Sequence, residues 1–283
     1  MKIAIASGKG GTGKTLISTN LFNVTPNSTY IDCDVEEPNG HLFLKGTHVK
    51  EQSFHIMIPE VNQNICNNCG KCAEVCQFNA IISAKQKVLV FPELCHGCGS
   101  CTFFCPTKAI TETPKIIGKI QETLINNKPM ITGTLNIGEP MAPPIIKQLK
   151  ALPISTEHII IDSPPGTSCP VIAAITGADM VLLVTEPTPF GLHDLDLAVQ
   201  VVQKLNIPMG IIVNKSGLGG NIIENYSKKK NIEILLEIPH SKTIAKLYSE
   251  GKLITTLPKY KKIFENLSEK IQKKVKGFQN HES

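Results

Sequence analysis

The stretch Ala6-Ser-Gly-Lys-Gly-Gly-Thr-Gly-Lys-Thr15 decides how the rest of the chain is read. It follows the short apolar run Lys2 to Ser7 and opens a segment of helical composition, Thr15 to Phe22. Gly8 to Thr15 fits G-x-x-x-x-G-K-[ST]. A strand before and a helix after give this pattern the context it needs to mean a phosphate-binding loop rather than a plain glycine turn. The backbone N–H groups of Gly8, Lys9, Gly10, Gly11, Thr12 and Gly13, with the helix start, then present partial positive charge to a polyphosphate. Lys14 is placed to reach the β- and γ-phosphates, and Thr15 to ligate Mg²⁺.

Outward from the loop lie further short apolar runs: STYIDCD ending at Asp34, EHIIID at Asp162, ADMVLLVT at Thr185, PMGIIV at Val213 and NIEILLEI at Ile238. Helix-length segments separate them. This alternation predicts an α/β fold with a doubly wound, mostly parallel sheet. It breaks between Asp34 and Asp162. Within that interval Lys115 to Glu139 reads as two strands turning at Asn126 and Asn127, a hairpin that returns the chain to the main domain.

The same interval holds eight of the ten cysteines, as two copies of C-x₂-C-x₂-C-x₃-C offset by 29 residues. Cys66, Cys69, Gly70, Cys72, Cys76, Ala80 and Ile81 recur as Cys95, Cys98, Gly99, Cys101, Cys105, Ala109 and Ile110. A duplication that includes non-ligand positions predicts an inserted small α+β unit, 59–113, between main-domain parts 1–58 and 114–283, with Pro59 and Pro114 near the boundaries. The spacing resembles that of bacterial two-cluster ferredoxins, whose fourth cysteine ligates the other cluster, and Pro106 follows Cys105 as in that run. The resemblance implies one [4Fe–4S] cluster on Cys66, Cys69, Cys72 and Cys105 and another on Cys95, Cys98, Cys101 and Cys76. Paired zinc ions are a poorer match to triplets with a crossing fourth ligand. Gln77 stands where the second copy has Pro106. His96 either hydrogen-bonds its cluster or is an exposed loop residue, the second being preferred.

Composition narrows the setting. The chain shows no signal peptide and no uncharged apolar run near 18 residues, so a cytoplasmic location is expected. In a reducing compartment ten cysteines read as metal or redox groups rather than disulfides. The net charge of +5 matches the surplus in residues 258–278, which hold seven lysines against Glu265 and Glu269. No arginine occurs anywhere. Bidentate reading of guanine leans on arginine, which argues against a sequence-specific nucleic-acid binder.

Lys9 in KGGTGKT makes the loop resemble the deviant Walker A of the MinD, ParA, Mrp and nitrogenase-iron-protein superfamily of P-loop ATPases, here with an inserted ferredoxin-like unit. The resemblance covers nearly the whole chain and implies a nucleotide-dependent homodimer in which Lys9 crosses to the partner's nucleotide. Without arginine, Lys9 is also the natural cation for transition-state charge. YIDCDVEEPN resembles the family's switch I, where Asp34 would position the attacking water and Asp32 would support the metal shell. IIIDSPPG resembles switch II, with Asp162 near Mg²⁺ and Gly166 donating to the γ-phosphate. Asn214 in VNKSG and Pro239 in EIP resemble the base-binding segments. A guanine site would want aspartate where Gly217 stands, which points to ATP.

Cys33 reads as a small buried hydrophobe. Cys169 sits where the nitrogenase iron protein has a cluster cysteine shared across its dimer, but no second candidate lies between Cys105 and Cys169; packing near switch II is preferred to an interface thiol. The leading expectation is an ATPase coupling nucleotide state to electron transfer, with an unidentified redox or iron–sulfur partner protein. Alternatives are an Mrp-type iron–sulfur cluster carrier and a positioning or membrane-surface ATPase. For the latter, Ile263, Phe264, Leu267, Ile271 and Val275 at helical spacing among lysines would form an interfacial helix. Docking of that helix on its own domain is preferred.

Overall fold

The computed structural model describes residues 1–84, 87–217 and 219–279. β1 (Lys2–Ala6) and α1 (Lys14–Val24) flank the glycine loop, and β2 (Ser28–Asp32) follows. β2 ends two residues before Asp34, earlier than its apolar pattern suggests. The Cys33 N–H still donates to the Asp162 carbonyl at 2.9 Å, after which the chain turns away through α2 (Gly40–Phe43).

A long strand, β3 (Thr47–Val61), then leads to the cysteine segment, which contains α3 (Lys71–Val75), β4 (Ile81–Ala84), β5 (Lys87–Val90) and α4 (Ser100–Phe103). The chain returns along β6 (Ile110–Ile125) and turns at Asn126 and Asn127, both at positive φ, into β7 (Lys128–Leu135). This hairpin is the one read from the sequence, and consecutive left-handed asparagines are what its tight turn requires.

β3 and β6 pair antiparallel from Thr47 opposite Leu124 to Val61 opposite Ile110. β7 covers only the root of this ribbon, pairing with β6 from Gly118 to Ile125. The register shifts between Phe54, opposite Gly118, and His55, opposite Ile116, so Ile117 is an extra residue: a bulge where the ribbon leaves the sheet. Beyond it the two strands run on alone for about 20 Å and carry the cysteine segment at their tip. The boundaries expected at Pro59 and Pro114 fall inside this ribbon, because Pro59 pairs with Glu112 and Met57 with Pro114. Prolines are tolerated there since each strand has an unpaired outer edge.

The remainder alternates: α5 (Ala142–Ala151), β8 (His158–Asp162), α6 (Cys169–Ile175), β9 (Met180–Thr185), α7 (Pro189–Lys204), β10 (Met209–Ser216), α8 (Ile222–Lys230), β11 (Ile234–Pro239), α9 (Lys242–Ser249) and α10 (Pro258–Gln279). The sheet order is β11-β10-β9-β1-β8-β2-β7-β6-β3, parallel as far as β7 and antiparallel beyond. One face packs on α5 to α8, the other on α1 and α10. β1 from Ile3 to Ala6 and β9 from Met180 to Val184 are apolar because both faces are covered; Ile3, Ala4, Ile5, Val181 and Leu182 are fully buried. Phe264, Leu267, Ile271 and Val275 of α10 are buried in the same core as α1, so the apolar face that would have lain in a membrane is occupied. Among the described residues no helix is long and apolar enough to cross a membrane.

Candidate functional site

Switch-like loops gather at the carboxyl ends of β1, β2, β8, β10 and β11, around an open cavity of about 420 Å³. Gly10, Gly11, Gly13, Lys14, Thr15, Asp34, Asn214 and Pro239, all singled out from the sequence, line it. The loop before α1 needs its glycines: Gly13 has φ 100°, and a Cβ built there would stand 2.4 Å from Asn214 Nδ2. That amide donates to the Thr12 carbonyl at 2.8 Å, while Asn214 Oδ1 accepts from the Lys215 N–H at 2.9 Å. Asn214 thus ties the phosphate loop to β10 as well as bordering the cavity.

Behind the loop, Asp32 and Asp162 sit opposite each other on β2 and β8, both fully buried. Asp32 spends both oxygens on its own loop, accepting from the Asp34 N–H at 3.2 Å and the Gly40 N–H at 2.9 Å. Its carboxyl is pushed well up by burial and by the neighbouring Asp162. Asp162 Oδ2 accepts from Tyr30 OH at 2.8 Å, but its Oδ1 is buried with no partner, as is Thr12 Oγ1. Burial raises Asp162 against the opposing pull of Lys14. Two buried carboxylates with a free oxygen behind a phosphate loop are a donor set suited to a hydrated Mg²⁺. Asp34, half-buried at the cavity wall, is pushed up to about 6, chiefly by burial, with Lys14 opposing.

Other sequence-derived residues stand apart from the cavity lining. Lys9 points to Asp194, with 4.0 Å between Nζ and Oδ2. Gly8 packs on the Asp194 backbone, where a Cβ would come within 2.1 Å of the carbonyl oxygen. The Gly166 N–H, expected to donate to a γ-phosphate, donates here to the Ser7 carbonyl at 3.0 Å. Cys33 is buried as read, but Cys169 is exposed at the start of α6 rather than packed near switch II. Sequence reading missed Ser241, which precedes α9, and Ile244, Ala245 and Tyr248 on one face of that helix, which close the cavity beyond Pro239. Their i, i+3, i+4, i+7 spacing was the available signal.

At the ribbon's tip the eight cysteines divide into two groups. Cys66, Cys69, Cys72 and Cys105 line one small cavity; Cys76, Cys95, Cys98 and Cys101 line another. Among the described residues no three His, Cys, Asp or Glu side chains close on a single-ion position. Backbone donors reach the sulfurs: the Gly97 N–H to Cys95 at 3.4 Å and the Ala109 N–H to Cys105 at 3.3 Å. Burial raises Cys72, Cys95 and Cys101. At Cys105 burial also opposes ionisation, but bonds from Thr107 and backbone N–H groups outweigh it and bring the thiol down. His96 is half-buried and stacks on Phe78 at 3.4 Å between ring centroids, so it is a wall of the second cavity rather than a free loop residue.

Residues 3–254 match the CobQ/CobB/MinD/ParA nucleotide-binding domain family. An uncharacterised protein of Methanocaldococcus jannaschii is 36% identical over 98% of this chain and 97% of its own. The iron–sulfur cluster carrier protein of the same organism is 23% identical over 96% of this chain and 86% of its own. In fold the chain is similar to the cell-division ATPase MinD of Pyrococcus furiosus, with a TM-score of 0.60 at 21% identity, covering 96% of this chain and 98% of that one. A glycine loop on a parallel sheet, carboxylates at the neighbouring strand ends and a match over most of the length lead to one assignment: the chain belongs to the CobQ/CobB/MinD/ParA nucleotide-binding family.

Proposed function

We propose that the chain binds and hydrolyses MgATP as a nucleotide-dependent homodimer and uses nucleotide state to control electron transfer through two [4Fe–4S] clusters at the ribbon's tip. Family membership supports the ATPase half. Lys14 holds the phosphates, Thr15 and Asp162 hold Mg²⁺ with Asp32 bracing the loop, and Asp34 orients the attacking water. Lys9 leaves Asp194 to reach the partner's nucleotide, and Asn214 and Pro239 border the adenine. In the inserted unit, two sets of four thiols support the cluster half. In each set three cysteines of one copy meet the fourth of the other, Cys105 with the first triplet and Cys76 with the second, a crossing that suits a cluster better than a single zinc. When bound, such clusters supply one-electron storage.

The observation that carries the coupling is a pair of adjacent backbone hydrogen bonds. The Leu135 N–H donates to the Val35 carbonyl at 2.8 Å, one residue after Asp34, and the Asn136 N–H donates to the Ile117 carbonyl at 2.9 Å, at the bulge. Lys115, just above the bulge, is paired with Glu139 at 2.9 Å. Movement of switch I on binding a γ-phosphate therefore acts on the residue next to the one that holds the ribbon's root. The test compares hydrogen exchange of residues 62–109, and cluster EPR, with and without a non-hydrolysable ATP analogue. Slower exchange or an altered signal is expected; identical traces would remove the coupling.

A second reading, delivery of a labile cluster to acceptor proteins, draws on the similarity to the M. jannaschii carrier. Incubation with an apo-ferredoxin separates the two. Retention of iron on this chain supports electron transfer, and stoichiometric loss supports delivery.

A further inference from the structure

The two halves of the cysteine unit superimpose in sequence at an offset of 29, and their backbones repeat as well: Gly70 and Gly99 have φ 74° and 72°, Asn79 and Lys108 φ 53° and 52°. A duplicated scaffold makes any chemical difference at matched positions informative, because the backbone contribution cancels. Position 83 in the first copy corresponds to 112 in the second. Each faces its own glycine: a Cβ placed on Gly70 would meet the Ser83 side chain at 3.9 Å, and one on Gly99 would meet Glu112 Oε1 at 3.4 Å. The first copy therefore presents a neutral hydroxyl where the second presents a carboxylate.

Glu112 lines the cavity of Cys76, Cys95, Cys98 and Cys101, whereas no acidic residue lines the cavity of Cys66, Cys69, Cys72 and Cys105. Among the described residues no ion pair neutralises Glu112. Its strand position is fixed by pairing with Pro59, so the carboxylate is held by the ribbon rather than by a loose loop. The Glu112 cavity also takes in Met57 and Pro59, and so lies nearer the bulge; the other takes in Val61 and Ile110, at the end of the ribbon. A fixed negative charge beside a redox centre disfavours adding an electron, and local charge with hydrogen bonding to sulfur is what separates otherwise similar iron–sulfur potentials.

We infer that Glu112 sets the two sites at unequal reduction potentials, the site of Cys76, Cys95, Cys98 and Cys101 being the lower. The inference rests on the two-cluster reading. A first electron then settles at the tip, on the site of Cys66, Cys69, Cys72 and Cys105, and the site nearer the ATPase fills second.

The experiment is an EPR-monitored redox titration of the full chain purified without oxygen, with iron and sulfide counted on the same sample. Two separated waves are expected in the parent protein. E112Q keeps the side chain's shape, and is expected to raise the lower midpoint, leave the upper one in place and keep the iron count. S83E is the converse: it should lower the upper midpoint and close the gap from the other side. The inference is overturned if E112Q moves neither wave, moves both equally, or loses iron. A parent protein without iron would instead overturn the two-cluster reading, and this inference with it.

Discussion

The nucleotide cavity is backed by a parallel sheet with a hydrophobic layer on each face, whereas the cysteine unit closes around five buried side chains, two of which are Cys72 and Cys101. In the first region the fold holds itself together and places polar groups at some cost to itself. In the second the groups that would bind a metal are also the core. The difference teaches where each site's order comes from: a carboxylate such as Asp162 is positioned by strands that exist without ligand, while the thiols have little but one another and the ribbon.

Metal removal tests this contrast most severely. A core of five residues is far too small to offset the ordering entropy of residues 62–109 alone, so metal binding and folding of that segment should be one process. After oxidation and chelation, amides of 62–109 should exchange rapidly while those of β1, β8 and β9 stay protected and an ATP analogue still binds. Persistent protection of the tip would break the comparison.

Within the nucleotide region, Asp34 should show the next largest effect. Its carboxyl titrates at about 6, so the base form appears as pH rises through that value. ATP turnover should climb across this step, and D34N should both flatten it and lower turnover about 100-fold or more. Because the folded value lies above the unfolded one of about 3.9, Asp34's contribution to stability should fall as pH rises from about 4 to 6. K14A comes next. Loss of a charge-assisted phosphate contact should weaken binding of a fluorescent ATP analogue roughly 10- to 100-fold with iron content unchanged.

How far the sequence revealed these features follows from what kind of interaction makes each of them. β1, β8 and β9 were readable because burial on both faces demands apolar runs, and the grouping of the eight thiols because their spacing repeats at an offset of 29. β3 was not: Thr47 to Lys50 and Glu51 are exposed, Lys119 pairs with Glu51 across the ribbon, and a solvated edge leaves no apolar period. The route from Val35 through Leu135 and Asn136 to Ile117 is made by backbone groups that every residue carries, so no side-chain pattern announces it. The Ser83 and Glu112 difference was in plain view at the offset of 29, but only the folded chain shows that each residue, one on β4 and the other on β6, faces its own glycine.

The smallest expected change concerns stability, and asks whether the nucleotide region is ordered at its own expense. Asp162 has one buried oxygen without a partner and a second buried carboxyl, Asp32, directly across the strand pair. Its folded-state affinity for a proton is raised by burial, so between the unfolded value near 3.9 and the raised one the folded state binds more protons, and stability falls as pH rises. D162N removes the charge while keeping an oxygen to accept from Tyr30 OH. Without ligand its Tm should exceed that of the parent, by about 2–4 °C for each kcal/mol relieved, and the gap should widen as pH rises above the unfolded value near 3.9. Mg²⁺ with an ATP analogue should reverse the order, because only the parent carries the carboxylate that the cation needs. A D162N protein less stable than the parent at every pH would mean that this carboxylate helps to hold the sheet together, and the contrast between a self-supporting region and a metal-supported one would have to be redrawn.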